Sequence, residues 1–414
     1  MGEDRRKIKR NAEFRRLYVT LRLRQCRSAI RANSHLPQSM MQCTIAIETE
    51  GPGRPISRIQ ETLTLNLPIR ETWLDTAKGL GITLVVMAHV LDHSTWRWAH
   101  PIYFSASLFF MPFFFIISGY LFAVTERKAL LRKRVQGLLI PYVMFLGAIM
   151  ASVLVVDFVR GDTPAPWQIR ELITDALLGG RHLTRELGVF WFVTCLVATQ
   201  LVYNEVAIRT SGPTDPGMLI FVGASVGLAY SIQAYWQDLR APLALTNVPL
   251  AIGAFWFGHF LRERGMSALW SAVFVVAVAG VALAAARTGS DFTFSMKNAI
   301  FGPPLLGLLV ALAISTFILG LARFMAMPSL RIAPLAEIGA ASLVIMFVHQ
   351  FVHFTLRDFG MSSELALIAL SLGLPYLLYR GLRSSRILSP WFIGSGDLAL
   401  SIQLMRRSLA FRAG

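Results

Sequence analysis

The chain contains 414 residues, 54% of them apolar and only 15% charged, with a formal net charge of +16 at pH 7. This composition is too apolar for a soluble domain and, with repeated apolar runs near bilayer length, predicts an all-α, polytopic integral membrane protein. The positive charge does not indicate a nucleic-acid partner, because Lys and Arg beside apolar helices usually report orientation in the membrane. Cys26, Cys43 and Cys195 lack the spacing of a metal site, and we expect no metal.

The first 70 residues differ in composition from the rest of the chain. They carry 14 Lys or Arg against 6 Asp or Glu, and they contain no apolar run long enough for a signal peptide. We therefore predict that residues 1–70 form a basic, largely disordered cytoplasmic tail that anionic lipid can attract. Part of this tail would precede the true start if translation began at Met40 or Met41, and the sequence leaves that alternative open. Residues 381–414 are predicted to form a second basic cytoplasmic tail.

Ten apolar segments follow the N-terminal tail, and each approaches the length of a transmembrane helix. If the N-terminus is cytoplasmic, 31 Lys or Arg lie on the cytoplasmic side of these segments and 9 lie on the other side. The asymmetry and the even number of spans predict that both termini are cytoplasmic. The predicted spans are residues 79–95, 101–123, 138–157, 189–206, 217–234, 247–261, 267–286, 300–322, 337–356 and 364–379.

The longest predicted external segment comprises residues 158–188. It contains a Pro-rich turn and then an amphipathic stretch. We expect this segment to act as a lid or to contact an acceptor substrate.

The first span carries ionisable residues along one face. On an α-helix, Lys78 and His89 are eleven positions apart, which leaves them about 20° apart around the axis and roughly 16 Å apart along it. Asp75 projects on the same side, and Asp92 lies one turn beyond His89. Because exposure of such groups to lipid costs several kcal/mol, the face is predicted to line a cavity that ends at His89, near the middle of the bilayer.

His89 has two interpretations. A lone intramembrane histidine can simply form a hydrogen bond between helices. The lysine and the carboxylates on the same face favour a chemical role, since an imidazole titrates near neutrality and suits removal of a proton from a hydroxyl.

These residues resemble the membrane-bound acyltransferase 3 family. The spacing of Lys78 and His89 in "DTAKGLGITLVVMAH" is similar to the family's Arg/Lys-x10-His signature, and the opening of this stretch most resembles the fucose 4-O-acetylase-like branch. Four later stretches resemble family motifs in the family's order: "FFFIISGYLF", "RVQGLLIPY", "FWFVTCL" and "LAEIGAASLVIMFVHQ". The resemblance implies an acyltransferase 3-like membrane domain over residues 71–380.

The resemblance also implies a reaction. Family members take an acyl group, usually acetyl, from acyl-CoA at the cytoplasmic face and place it on a hydroxyl of a cell-surface or lipid-linked glycan. Near the third span, Arg132, Lys133 and Arg134 are then candidates to bind the CoA phosphates, with Arg134 favoured; the alternative is that they only anchor the helix to anionic lipid. The chain departs from the family pattern at Lys78, where many members have arginine, and at Gly137, where a second basic residue is common.

Other marked residues have a structural interpretation beside the functional one. The possible cavity residues are Ser118, Tyr120, Trp191 and His349. Ser118 and Tyr120 flank a glycine in the second span, which is more typical of close helix packing than of a nucleophile. Trp191 is more typical of an interface or packing aromatic than of a substrate platform. His349 is a second candidate for the cavity, and His353 follows it by four residues without the motif of a metal site. His259 is expected at the water interface.

We therefore predict a membrane O-acyltransferase of the bacterial inner membrane that uses acetyl-CoA and no metal. In this interpretation His89 is the general base, Lys78 orients the donor, and Asp75 or Asp92 tunes the imidazole. The branch suggests a fucosyl acceptor, including that of a rhizobial nodulation factor. Direct transfer, an acyl-histidine intermediate and a longer acyl group all remain open. The alternatives are a glycan or lipid transporter or flippase, and a non-catalytic scaffold.

Overall fold

The computed structural model describes residues 43–49, 57–63, 72–92, 104, 107–327, 330 and 332–394. The chain divides into two compact units, Met1–Arg70 and Glu71–Gly414.

The first unit contains two antiparallel strands, β1 (Cys43–Thr49) and β2 (Ser57–Leu63). Their register pairs Cys43 with Leu63 and Thr49 with Ser57. This pairing departs from the prediction that residues 1–70 are largely disordered. The other residues of that tail, and residues 395–414 of the C-terminal tail, lie outside the described residues.

The second unit consists almost entirely of helices, and this confirms the predicted all-α, polytopic fold. Short 3-10 turns and a two-residue strand pair, β3 (Phe294–Ser295) with β4 (Ile300–Phe301), occur in the connections. The helices are α1 (Thr72–Leu91), α2 (Phe110–Tyr120), α3 (Arg127–Arg134), α4 (Ile140–Arg160), α5 (Pro166–Leu178), α6 (Trp191–Ala207), α7 (Pro216–Tyr235), α8 (Val248–Glu263), α9 (Ala268–Arg287), α10 (Leu306–Met325), α11 (Ala333–Ala340), α12 (Ser342–Asp358), α13 (Glu364–Ser384) and α14 (Ser389–Phe392).

Each of the ten predicted spans coincides with one of these helices or helix pairs. Among the described residues, eight helical segments are long and apolar enough to cross a membrane. A ninth is the pair α11 and α12, which meet at an angle of 80°, and the tenth, α2, has only 11 residues. The third span is longer than predicted because α3, a π-helical turn (Val135–Leu139) and α4 continue one another over Arg127–Arg160.

The first helix begins earlier than the predicted span. It starts at Thr72 and ends at Leu91, so His89 lies in its last turn. The predicted placement of His89 at mid-span is therefore wrong for the helix itself, since the apolar run from Gly79 underestimated how far α1 extends toward its N-terminus.

Glycines bring two pairs of helices into backbone contact. A Cβ on Gly79 of α1 would lie 1.9 Å from the carbonyl oxygen of Leu335, and one on Gly339 of α11 would lie 1.7 Å from that of Asp75. Likewise, a Cβ on Gly119 would lie 1.8 Å from the carbonyl oxygen of Phe255 in α8. Small residues at such crossings replace side-chain volume with close van der Waals contact, which is how helices associate in lipid.

Side-chain contacts define two opposite ends of the helical unit. At one end, which we call the Trp73 end, the Trp73 ring lies 5.3 Å from that of Tyr120, and the Arg323 guanidinium lies 4.3 Å from the Trp73 ring centre. At the other, the Arg357 end, Arg357 donates a 2.7 Å hydrogen bond to the carbonyl of Val90. Because α1 runs from one end to the other, Lys78 and His89 belong to different ends.

Candidate active site

Two histidines from different helices meet near the Arg357 end. The ring centres of His89, in the last turn of α1, and His349, in α12, are 5.3 Å apart. Phe110 of α2 packs edge-on against His89 at 5.8 Å. His349 is completely buried, whereas His89 is only partly buried, so His89 is the histidine that a substrate can reach.

The protonation pattern of His349 follows from its hydrogen bonds. Its Nδ1 lies 2.8 Å from the carbonyl oxygen of Ile345 and 3.0 Å from that of Met346. A carbonyl oxygen can only accept, so Nδ1 carries the proton and Nε2 of the neutral ring carries the lone pair. Within the described part of the chain, that buried Nε2 has no hydrogen-bond partner. His349 is therefore held in one tautomer, in which the lone pair of Nε2 is available.

Gln350 connects α12 to His89. Its Nε2 lies 3.3 Å from Nδ1 of His89, which is within hydrogen-bonding reach but long. An amide can face an imidazole through its NH2 group or, after a flip, through its oxygen, so Gln350 can support either tautomer of His89. Gln350 was not predicted from the sequence, which suggested Asp75 or Asp92 as the residue that tunes His89.

A partly buried lysine lies near the same amide. The position of a Cβ on Gly188 would be 2.8 Å from Oε1 of Gln350 and 3.5 Å from Nζ of Lys297. Lys297 donates a hydrogen bond to the carbonyl of Leu183. Burial, and to a smaller extent Arg181, lowers the pKa of Lys297 to about 8. No motif marked Lys297, which lies in a connection without helical or strand periodicity.

The predicted partners of His89 on α1 lie elsewhere. Nζ of Lys78 forms a 3.4 Å ion pair with Oδ1 of Asp75, close to the Trp73 end. Lys78 remains separated from His89 by eleven helical residues, or roughly 16 Å along the axis. Asp92 is exposed just beyond the end of α1. The structure thus places Asp75 with Lys78 and does not bring either of them to the imidazole.

The predicted CoA-binding arginines differ in their surroundings. Arg132 and Lys133 are exposed, whereas Arg134 is partly buried where α3 passes into the π-helical turn. In the region that the structure describes, the buried Nε of Arg134 and hydroxyl of Tyr142 have no hydrogen-bond partner. A buried guanidinium with an unsatisfied N–H fits an anionic group such as a phosphate. This observation favours Arg134 over its two neighbours.

The remaining predicted cavity residues are not all near the histidine pair. Ser118 accepts a 2.7 Å hydrogen bond from the amide of Gln200, and Tyr120 lies at the Trp73 end, where Arg323 donates to its hydroxyl at 3.4 Å. Trp191 is buried in the core at the start of α6, with Phe192 edge-on against it. Only His349, of the four candidates, is in contact with the ring of His89.

His259 contradicts its predicted position at the water interface. It is 3% exposed, and its ring nitrogens lie 2.9 Å from the hydroxyl of Tyr203 and 2.9 Å from a carboxylate oxygen of Glu263. The nearby charges suggested exposure, but Tyr203 and the aromatic ring of Phe122 cover the imidazole.

Comparison with known proteins identifies the family. The model of the acyltransferase 3 family, an acyltransferase domain, matches residues 71–380, and the chain belongs to that family. It is also 31% identical over 137 residues to nodulation protein NolL of Mesorhizobium japonicum. That similarity covers 30% of this chain and 32% of the relative, so the chain spans about a third of the relative's length. The chain is thus a member of an acyltransferase family with many helices long and apolar enough to cross a membrane.

Proposed function

We propose that this acyltransferase moves an acetyl group from acetyl-CoA to a sugar hydroxyl of a surface glycan or lipid-linked oligosaccharide. The observation that carries the proposal is the contact between His89 and His349, with their ring centres 5.3 Å apart. Acyl transfer to a hydroxyl needs a base, and the reachable imidazole of His89 can supply one beside a second imidazole of fixed tautomer.

The reaction is direct transfer. His89 removes the proton from the acceptor hydroxyl while the hydroxyl oxygen attacks the thioester carbonyl. The C–O bond forms, the C–S bond breaks, and the proton passes from His89 to the departing CoA thiolate. His349 does not touch the substrate; its Nε2 lone pair stabilises the imidazolium that forms on His89, and Gln350 orients that ring. His349 and Gln350 are thus positioning residues.

The donor is proposed to enter from the Trp73 end, which we assign to the cytoplasm. The support is the unsatisfied N–H of Arg134, together with Lys78 on the same face of α1 as His89. Both carry the positive charge that the CoA phosphates require. The assignment places both termini in the cytoplasm and the chain in the bacterial inner membrane, in agreement with the distribution of Lys and Arg.

We propose a fucosyl residue as the first acceptor to test. The support is the resemblance of the first motif to the fucose 4-O-acetylase-like branch and the name of the relative, a nodulation protein. A rhizobial lipo-oligosaccharide is accordingly among the candidate acceptors, beside surface polysaccharide.

Mass spectrometry of surface glycans and secreted lipo-oligosaccharides tests the proposal. A deletion strain should lose one or more acetyl groups from one glycan, wild-type protein should restore them, and inserted His89→Ala protein should not. A deletion strain that keeps every acetyl group but fails to export a glycan would show a transporter or flippase instead.

A further inference from the structure

A cavity of about 500 Å³ opens at the Arg357 end of the helical unit. The last turns of α4 and α12 form one wall, and α5 with the turns at residues 182–187 forms the other. The cavity, which we call the Asp157 cleft, therefore includes part of the predicted external segment 158–188. Its volume is within the range of sites for small ligands.

Ion pairs connect the elements that form the rim of the Asp157 cleft. Oδ2 of Asp358 lies 3.2 Å from Arg160 and 3.0 Å from Arg185, which joins α4, α12 and the connecting turn. Arg185 has a φ of 46°, a conformation that costs a non-glycine residue free energy and persists only when its surroundings enforce it. Its contacts with Glu186, at 3.0 Å, and with the face of Phe354 enforce it here. Side-chain contacts therefore fix the conformation of this wall.

The floor of the cleft leads to the histidine pair. Leu187 and Phe351 line it. Their chain neighbours, Gly188 and Gln350, are the residues in contact beside His89. His89 does not itself line the cleft, so the attacking hydroxyl of a sugar bound there has to extend past this floor toward the imidazole.

The charges of the cleft select against anions. Four carboxylates line it, from Asp157, Asp175, Glu186 and Asp358, against two arginines that are already ion-paired with Asp358. His182 also lines the cleft, and its Nδ1 lies 3.7 Å from Oδ1 of Asp175. The excess negative charge repels phosphates and carboxylates, so the cleft does not suit CoA. Carboxylates accept hydrogen bonds from hydroxyls, and the apolar floor can receive the face of a sugar ring.

We infer that the Asp157 cleft binds the acceptor, and that the acceptor residue is an uncharged, hydroxyl-rich sugar. The inference rests on the proposed function. Asp157 is the sharpest probe of it, because its carboxylate forms no hydrogen bond or ion pair with any described residue and is available to a sugar hydroxyl.

The test uses full-length protein in lipid nanodiscs, radiolabelled acetyl-CoA, and surface polysaccharide purified from the deletion strain as titratable acceptor. Asp157→Asn and Asp175→Asn should each raise the apparent KM for polysaccharide about tenfold, the effect of losing one charge-assisted hydrogen bond. The KM for acetyl-CoA should not change. Glu171→Gln is the matched control, because Glu171 is exposed one turn from Asp175 on α5 and does not line the cleft.

Competition with simple glycosides tests the charge of the acceptor. Neutral methyl glycosides, such as methyl fucoside, should inhibit transfer by wild-type protein, and the methyl glycoside of a uronic acid should not. Stronger inhibition by the uronide would overturn the inference, as would an acceptor KM in both aspartate variants equal to that of Glu171→Gln. Absence of any transfer by wild-type protein would instead remove the proposed function itself, so the two failures are distinguishable.

Discussion

Replacement of His349 by asparagine separates the two possible roles of this residue. The asparagine amide can still donate to the carbonyl of Ile345 or Met346, as Nδ1 of His349 does at 2.8 and 3.0 Å, but it has no counterpart of Nε2. If His349 only stabilises helix α12 through these hydrogen bonds, the asparagine variant should keep the activity of wild-type protein. If the Nε2 lone pair stabilises the charge on His89, asparagine should not.

The expected loss can be worked from the distance between the rings. A unit charge on His89 and a partial charge of roughly one half on Nε2 of His349, separated by about the 5.3 Å between the ring centres, interact by at most about 1.5 kcal/mol at an effective dielectric constant near 20. Because about 1.4 kcal/mol changes a rate tenfold, we expect His349→Asn to lower kcat roughly tenfold. The KM for acetyl-CoA and the melting temperature should stay close to those of wild-type protein.

The assay is initial-rate transfer of radiolabelled acetyl groups from acetyl-CoA to polysaccharide from the deletion strain. His89→Ala should lose far more activity, on the order of 10²- to 10⁴-fold, as expected for removal of a general base. His353→Asn, a buried histidine one turn along the same helix, is the matched control and should be mild. A His349→Asn protein with wild-type kcat would refute the electrostatic role and leave His349 as a structural residue.

Three further predictions concern donor binding, topology and stability. Lys78→Arg should retain substantial activity, whereas Lys78→Gln should lose most of it through a raised KM for acetyl-CoA; equal KM values would make Lys78 a topology charge only. Single cysteines at Arg170 and Arg383 should react with a membrane-impermeant maleimide from opposite sides of the membrane, and labelling from the same side would exclude the ten-span topology. Because burial and Arg181 lower the pKa of Lys297 from 10.5 to about 8, folded protein bears the cost of a buried charge below pH 8 and loses that cost as the pH rises toward 10.5. Between pH 8 and pH 10.5, thermal melting should show that the free energy of unfolding of wild-type protein rises by up to about 3 kcal/mol relative to that of Lys297→Met. A difference in stability between the two proteins that does not change with pH would contradict the lowered pKa.

Hydropathy was sufficient to locate the helices but not to describe how they cross. All ten apolar segments contain a helix, because backbone groups in lipid must be satisfied within a segment. The 80° bend between α11 and α12 is not visible in hydropathy, and neither is the contact of Gly339, close to that bend, with the backbone of Asp75 in another helix. Such contacts depend on the pairing of distant segments.

The sequence predicted only those residues of the candidate site that lie on one helix, α1. The spacing of Lys78 and His89 requires no more than the geometry of one helix, and α1 is indeed continuous from Thr72 to Leu91. Gln350 reaches His89 only because α12 crosses α1 at that level, and Lys297 lies near Gln350 only because both side chains pack against Gly188. Single-sequence spacing carries no information about either approach.

The two ends of the helical unit differ in charge in a way that suits a two-substrate reaction. The segment formed by α3 and α4 runs from Arg127 to Arg160, and Arg160 lines the Asp157 cleft, so Arg134, with its unsatisfied N–H, lies toward the opposite end of the helical unit. The Asp157 cleft carries more carboxylates than arginines. Long-range attraction therefore draws a phosphorylated donor toward one end and disfavours it at the other. An uncharged sugar experiences neither effect and is retained by hydrogen bonds and by contact with the apolar floor of the cleft. Since His89 lies in the last turn of α1, beside the cleft, the acyl end of the donor has to extend roughly 16 Å from the level of Lys78 to reach it. That distance requires an elongated donor and favours a carrier such as CoA, whose pantetheine arm separates the thioester from the phosphates.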